Sequence, residues 1–314
     1  MAATFLNYDS SRRFALPRRI AVATDLTDAD VLLPYAISQA RVTGAHLCLI
    51  HAIPPRLGGQ EASCLKCFDE CSRESRILDR LEDMQRRAHL QGVCCSIRWS
   101  HGDPRRVILD ALDKCHAERL IAGSHGRRHL REVIHGSVAR ELMTAVKIPT
   151  LFVGPKVHPL VDVQMRNILC LLSLEGEFEK LSRFALLVGE VYQAHVTLMH
   201  VLDDADAINK TRSTEWARTA LQSLVDKFGR REKQVTIEVR HGGLVEAACK
   251  AADELQIDAL ILGTASPSHA THLKELLAYQ VIATASCPVY CYRLDSVEPQ
   301  RQEAKVDAFA TLSR

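Results

Sequence analysis

The feature that most narrows the possible folds is an internal repeat. Arg19-Ile20-Ala21-Val22-Ala23-Thr24-Asp25 returns as Asn167-Ile168-Leu169-Cys170-Leu171-Leu172-Ser173, and 46–52 (HLCLIHA) returns as 195–201 (HVTLMHV). Farther on, 98–103 (RWSHGD) returns as Arg240-His241-Gly242-Gly243, each followed by a helical pattern. Leu120-Ile121-Ala122-Gly123 returns as Leu260-Ile261-Leu262-Gly263, and Ile148-Pro149 as Cys287-Pro288. The copies lie about 148 residues apart, so one supersecondary unit is used twice. A chain of 314 residues with 47% apolar content can bury two cores of ordinary size.

Within a copy, short apolar runs alternate with helical patterns. In the first copy the runs are 19–24 (RIAVAT), 46–52, 94–99, 120–122 and 150–153. Between them, helical spacing covers about 29–42, with Gly44 placed as a C-terminal cap, and 65–90, with Gly92 behind it. Pro34 delays the first helix or bends it. Asp103-Pro104 forms a cap and first-turn pair for a helix reaching about residue 117. Alternation of this kind predicts parallel βα units with right-handed crossovers, hence an α/β chain of two tandem, open, parallel five-stranded sheets with helices on both faces. The expected divisions are an N-terminal arm at 1–17, a first domain at 18–154, a linker at 155–165, a second domain at 166–294 and a polar tail at 295–314.

The stretch 120–153 carries the chemistry. An apolar strand stops at Gly123-Ser124-His125-Gly126, and Gly136-Ser137 follows nine residues later at the start of a helical pattern. Paired glycines let backbone N–H groups turn towards an anion, and a helix N-terminus adds further N–H groups and the positive end of its dipole. The stretch lacks the Gly-Lys-Ser/Thr of a P-loop and the glycine spacing of the dinucleotide fingerprint. A lone Gly-x2-Gly is also ordinary turn chemistry. The longer ordered pattern Gly-x2-Gly-x9-Gly-Ser, continued through GSVARELM and Lys147-Ile148-Pro149, resembles the ATP-binding signature of the universal stress protein family.

That resemblance covers both copies and implies the family's fold, which is Rossmann-like and of the adenine nucleotide alpha hydrolase type. It implies that Thr24 and Asp25 flank the adenine, with Ala52 offering backbone. Ala122, Gly123, His125 and Gly126 would hold ribose and phosphates, and Gly136, Ser137 and Val138 would cap the phosphate tail. The implied ligand is ATP, with Mg²⁺ or Mn²⁺ on its phosphates. The family's domains pair through their last strand, so the two copies are expected to pair along 150–153 and 289–293; whether chains also form a homodimer stays open. A stress-responsive regulatory output through a protein partner is the implied role.

The second copy departs from the signature. Ser173 replaces Asp25, Gly263-Thr264-Ala265-Ser266 loses the second glycine, Pro267 follows, and Glu275, Leu276 and Leu277 stand in the region of the Gly-Ser pair. A carboxylate and two apolar side chains there would repel or block phosphate, so the second copy is expected to bind no ATP and to serve as a pseudo-partner.

Other groups leave alternatives open. Cys64, Cys67 and Cys71 have ligand-like spacing on one face of a helix, where they could bind metal, respond to oxidant or pack as inert thiols. Arg127, with Arg128 and Arg131, either approaches the γ-phosphate or forms a solvated basic face. His51 and His200 recur at one position, which favours a structural role. His125 and Asp25 are the available bases, so ATP hydrolysis, if any, is expected to be slow and the chain is not read as an enzyme. Arg73, Arg76, Arg80, Arg86 and Arg87, interspersed with acids, read as an exposed helix face.

A net charge of +2 and 5% aromatic content argue against a nucleic-acid or membrane surface. No apolar run approaches the roughly 18 to 20 residues of a membrane span. Arg12-Arg13 precedes too short an apolar segment for an export signal. Eleven cysteines then indicate a reducing compartment, and the expected location is cytoplasmic.

Overall fold

In the first copy, the apolar runs become β1 (Arg19–Ala23), β2 (His46–Ile53), β3 (Cys95–His101), β4 (Arg119–Gly123) and β5 (Thr150–Val153). The helices between them are α1 (Ala29–Thr43), α2 (Cys64–Leu90), α3 (Pro104–Lys114) and α4 (Ser137–Ala145). The second copy gives β6 (Asn167–Leu171), α5 (Phe178–Tyr192), β7 (His195–Leu202), α6 (Lys210–Phe228), β8 (Val235–His241), α7 (Leu244–Glu254), β9 (Ala259–Thr264), α8 (His272–Thr284) and β10 (Val289–Arg293). The computed structural model describes residues 14–54, 64–124, 137–160, 162–174, 178–202, 210–228, 234–264 and 272–294, with backbone alone at 64–71, 137, 210 and 272–275.

Local chemistry sets several boundaries. Gly44 ends α1 in the left-handed conformation, φ 69°, its N–H bonded to the Ala40 carbonyl. Pro34 lies inside α1 rather than at its start. The Asp103 carboxylate accepts from the Arg106 N–H at 3.0 Å and Pro104 opens α3. That helix stops at Lys114, short of the expected 117, because Cys115 caps it and His116 turns to φ 48°.

The strand order is β3-β2-β1-β4-β5-β10-β9-β6-β7-β8. Every described pairing within a half is parallel. β5 and β10 pair antiparallel, with Leu151 opposite Tyr290, and fuse the two halves into one ten-stranded sheet. The fusion satisfies the polar backbone edge that each half would otherwise expose. Side chains alternate between two layers. One core holds Ile20, Val22, Leu47 and Leu49 under α1 and α2, with Leu198 and Ile261 under α5 and α6. The other holds Ala21, Ala23, Cys48 and Ile50 under α3 and α4, with Leu169 and Leu260 under α7 and α8.

Arg119 anchors the junction between the halves. Fully buried, it donates to Gln39 Oε1 at 2.8 Å and to the Phe14 carbonyl at 2.7 Å. Its guanidinium carbon lies 5.3 Å from the centre of the Tyr290 ring, close enough for a cation–π contact. Gly154 crosses so near the Ile282 carbonyl that a β-carbon would overlap it.

Candidate functional site

In each half the chain order reverses beside the first strand. β1 lies between β2 and β4, and β6 between β7 and β9. Such a switch point opens a crevice past the carboxyl ends of the strands, where ligands of open α/β sheets bind.

In the first half the crevice begins where β1 runs into a tight turn. Leu26 adopts φ 72°, an uncommon conformation for a residue with a branched side chain. Three bonds hold it: Leu26 N–H donates to Thr24 Oγ1 at 2.8 Å, and Asp25 Oδ1 accepts from Thr27 N–H at 2.8 Å and Thr27 Oγ1 at 2.6 Å. Thr24 Oγ1 in turn donates to Asp28 Oδ1 at 2.7 Å. Asp28 then starts α1, its carbonyl accepting from the N–H groups of Val31 and Leu32.

Burial pushes the Asp28 carboxyl up to about 7, with the Asp25 charge adding to the rise and the Thr24 hydroxyl opposing it. The other Asp28 oxygen lies directly over Gly123, where a β-carbon would collide with it. Glycine at the end of β4 is therefore a steric requirement of the site.

β2 supplies the next wall. The Ile50 carbonyl accepts from Thr24 N–H at 3.1 Å. Backbone groups alternate sides along a strand, so those of Ala52 face the space beyond the end of β1. His51 holds the two strand ends together, its Nδ1 bonded to the Thr24 carbonyl at 2.9 Å. Burial lowers the pKa of His51, which keeps it neutral and able to donate from Nδ1.

These walls enclose a cavity of about 770 Å³, within the range of small-molecule sites. Of the residues expected at the site, Thr24, Asp25, Ala52, Ala122, Gly123 and Val138 line it together. Ser137 begins α4. His125, Gly126, Arg127 and Gly136 lie outside the described residues, as do the side chains of Cys64, Cys67 and Cys71. Among the described residues, no group of three or more His, Cys, Asp or Glu is placed to hold a metal. No helix there is long and apolar enough to cross a membrane.

Two features of the lining escape the sequence pattern. Asp28 is one; its signal is a second carboxylate three residues after Asp25, which reads equally well as an ordinary helix cap. The other adds to an expectation. Arg76 and Arg80 are exposed and Arg73 is half-buried, as on a solvated helix face, and all three also line the cavity from α2. Their spacing matches that of any amphipathic surface; only the fold sets that surface beside a cavity.

The model of the universal stress protein family matches residues 17–154 and again 165–293. The chain belongs to this family. It is 31% identical over 77 residues to universal stress protein G of Salmonella typhimurium and of Salmonella typhi, a match covering 24% of this chain and 54% of each relative. The chain thus spans about half the length of the curated relatives it matches. A universal stress protein of Archaeoglobus fulgidus superposes with a TM-score of 0.68 over 88% of this chain and 96% of that one, at 17% identity. A Pseudomonas aeruginosa protein of unknown function superposes at 0.59 over 89% and 94%, also at 17% identity. Those likenesses show the fold alone.

The two halves match each other down to single bonds. In the second universal stress repeat His200 Nδ1 bonds the Leu172 carbonyl at 2.8 Å, as His51 does in the first. The strand ends differ. The three alanines under the cavity, Ala23, Ala52 and Ala122, correspond by strand register to Leu171, Val201 and Leu262. Leu181 and Leu294 close over Gly263, with side-chain carbons 3.3 Å and 3.1 Å from where its β-carbon would lie. Asp28 is replaced by Gly176. Apolar side chains occupy in the second repeat the volume that the first leaves open.

Proposed function

We propose that this chain is a nucleotide-binding regulatory protein that takes ATP in its first repeat, while the second is a non-binding pseudo-partner. The observation that carries the reading is the cavity at the first switch point, floored by three alanines where the second repeat has leucine, valine and leucine. Its chemistry suits an adenine nucleotide. Alanines at strand ends leave room for a flat ring, and the Ala52 backbone presents a donor and an acceptor to its edge. The Asp25 carboxylate suits a ribose hydroxyl or the adenine amino group. Gly123 and the first turn of α4 suit phosphate, through unpaired N–H groups and the helix dipole.

Asp28 fits a phosphate-binding site because burial keeps a large share of it protonated near neutrality. A neutral carboxyl beside Gly123 donates a hydrogen bond and adds no repulsive charge. Mg²⁺ or Mn²⁺ on the phosphates would neutralise the tail. The hydroxyls of Thr24 and Thr27 are engaged in the turn with Asp28 and Asp25, and we read occupancy rather than turnover as the signal, with a protein partner as its reader.

The test is calorimetric titration of ATP and Mg²⁺ into protein stripped of nucleotide, with Gly126→Val beside the wild type. One site per chain, weakened at least about 100-fold in the variant, supports the reading; each tenfold corresponds to roughly 1.4 kcal/mol. No binding at millimolar ATP overturns it.

A further inference from the structure

The arginines of α2 stand on a wall that the repeat does not carry over. Two pairs of equivalent contacts fix the register between α2 and α6. Glu74 bonds His101 at 2.9 Å as Thr214 bonds His241 at 3.0 Å, and Leu81 and Leu221 are both fully buried. In that register Arg73, Arg76 and Arg80 correspond to Ser213, Trp216 and Ala220. The first repeat has three arginines on its cavity; the second has none of them at the corresponding positions.

No carboxylate among the described residues neutralises the three. Arg80 donates to the Leu26 carbonyl at 2.6 Å and Arg76 to the Ser72 carbonyl at 3.1 Å. Farther along the same helix, outside the cavity, Arg86 pairs with Asp83 and Arg87 with Asp30. The helix therefore compensates its outer arginines and leaves those at the cavity without an acid.

Their position matters as much as their charge. Arg80 reaches the Leu26 carbonyl just past β1, and all three arginines line the cavity together with His51 and Ala52 at the end of β2. The glycine end of the site is at β4, two strands from β2. The arginines and the glycine end thus lie on one cavity, which Asp25 and Asp28 also line. A nucleotide whose 5′-phosphates meet Gly123 and α4 turns its ribose and base towards the arginines.

Resting on the ATP-site reading, we infer that Arg73, Arg76 and Arg80 form a second anion subsite, for a phosphate on the ribose 2′ or 3′ oxygen. The ligand class that fills both ends is an adenine nucleotide phosphorylated at the 5′ position and again at 2′ or 3′. Arginine forks bind such groups through charge-assisted, bidentate hydrogen bonds.

The experiment titrates ATP, AMP, adenosine 3′,5′-bisphosphate and adenosine 2′,5′-bisphosphate into the full chain at fixed ionic strength. The proteins are wild type, an Arg73→Ala/Arg76→Ala double variant and Arg86→Ala, whose arginine lies outside the cavity. One bisphosphate should bind the wild type at least about tenfold more tightly than AMP, and the better isomer names the ribose position. That ratio should fall below about two in the double variant and persist in Arg86→Ala. Bisphosphates no better than AMP, or an advantage that survives the double variant, would overturn the inference while ATP binding stands. A double variant that loses ATP more than bisphosphate would assign the arginines to the 5′ tail and overturn it too. Failure of ATP itself would remove both readings.

Discussion

The two repeats share a strand order, a pair of histidine bonds and a glycine at the fourth strand's end, yet among the described residues the first encloses a cavity at its switch point where the second packs apolar side chains. Three side chains account for most of the difference: Ala23, Ala52 and Ala122 against Leu171, Val201 and Leu262. The lesson is that topology provides a crevice wherever strand order reverses, but small residues at the strand ends decide whether it stays open. Function follows the site and not the fold.

The comparison can be broken at several places, and the largest effect is expected where the halves meet. Arg119 has Ala259 as its counterpart, so Arg119→Ala makes the repeats alike there. It also strips hydrogen bonds from Gln39 and the Phe14 carbonyl and leaves a void beside Tyr290. Loss of about 4 kcal/mol is expected in urea unfolding. Leu262→Ala restores the first repeat's small residue to the second. It should cost about 3 kcal/mol, within the range for buried leucine truncation, and still confer no ATP binding, because the second repeat has Ser173 for Asp25, Gly176 for Asp28 and Ser266 for the second glycine of the loop.

The reverse exchange, Ala122→Leu, should cost about 1–3 kcal/mol, since Ala122 is buried in the core at the cavity floor. It should weaken ATP about 100-fold, or roughly 2.7 kcal/mol by titration.

Asp28 gives a pH test. Its folded pKa, about 7, lies above the ordinary 3.8, so the folded state holds the extra proton across that window. Stability is then full below pH 4, falls as pH rises towards 7 and levels above it. Three units correspond to roughly 4 kcal/mol; screening at the cavity mouth should halve it. Asp28→Asn should therefore be about 2 kcal/mol more stable than wild type at pH 8 in urea unfolding, and the difference between the two should vanish towards pH 4. The smallest effect sharpens the likeness of the halves. Gly243 occupies the cap position that Asp103 holds in α3, with open space around its β-carbon. Gly243→Asp should gain about 0.5 kcal/mol in thermal unfolding.

Most of the scaffold was legible because apolar runs, glycine caps and Asp103-Pro104 act locally. The repeat was legible because HLCLIHA and HVTLMHV preserve the same inward and outward alternation. Ala122, Gly123 and Val138 could be assigned through the glycine pattern that resembles the family's signature. Asp28 could not, since its raised pKa and its contact with Gly123 arise from burial across two strands. The three arginines were hidden for a related reason: their spacing fits any helix surface, and only packing turns that surface over a cavity. The filling of the second crevice by Leu181 and Leu294 likewise depends on contacts between distant segments. Single-chain patterns carry no distances across the fold.

The most direct test of the central claim, that nucleotide belongs to the first repeat alone, is photolabelling with 8-azido-ATP and Mg²⁺ followed by peptide mapping. Label confined to peptides within 19–153, and competed away by ATP, is the predicted result. Label within 167–293, or divided between the repeats, would contradict the account.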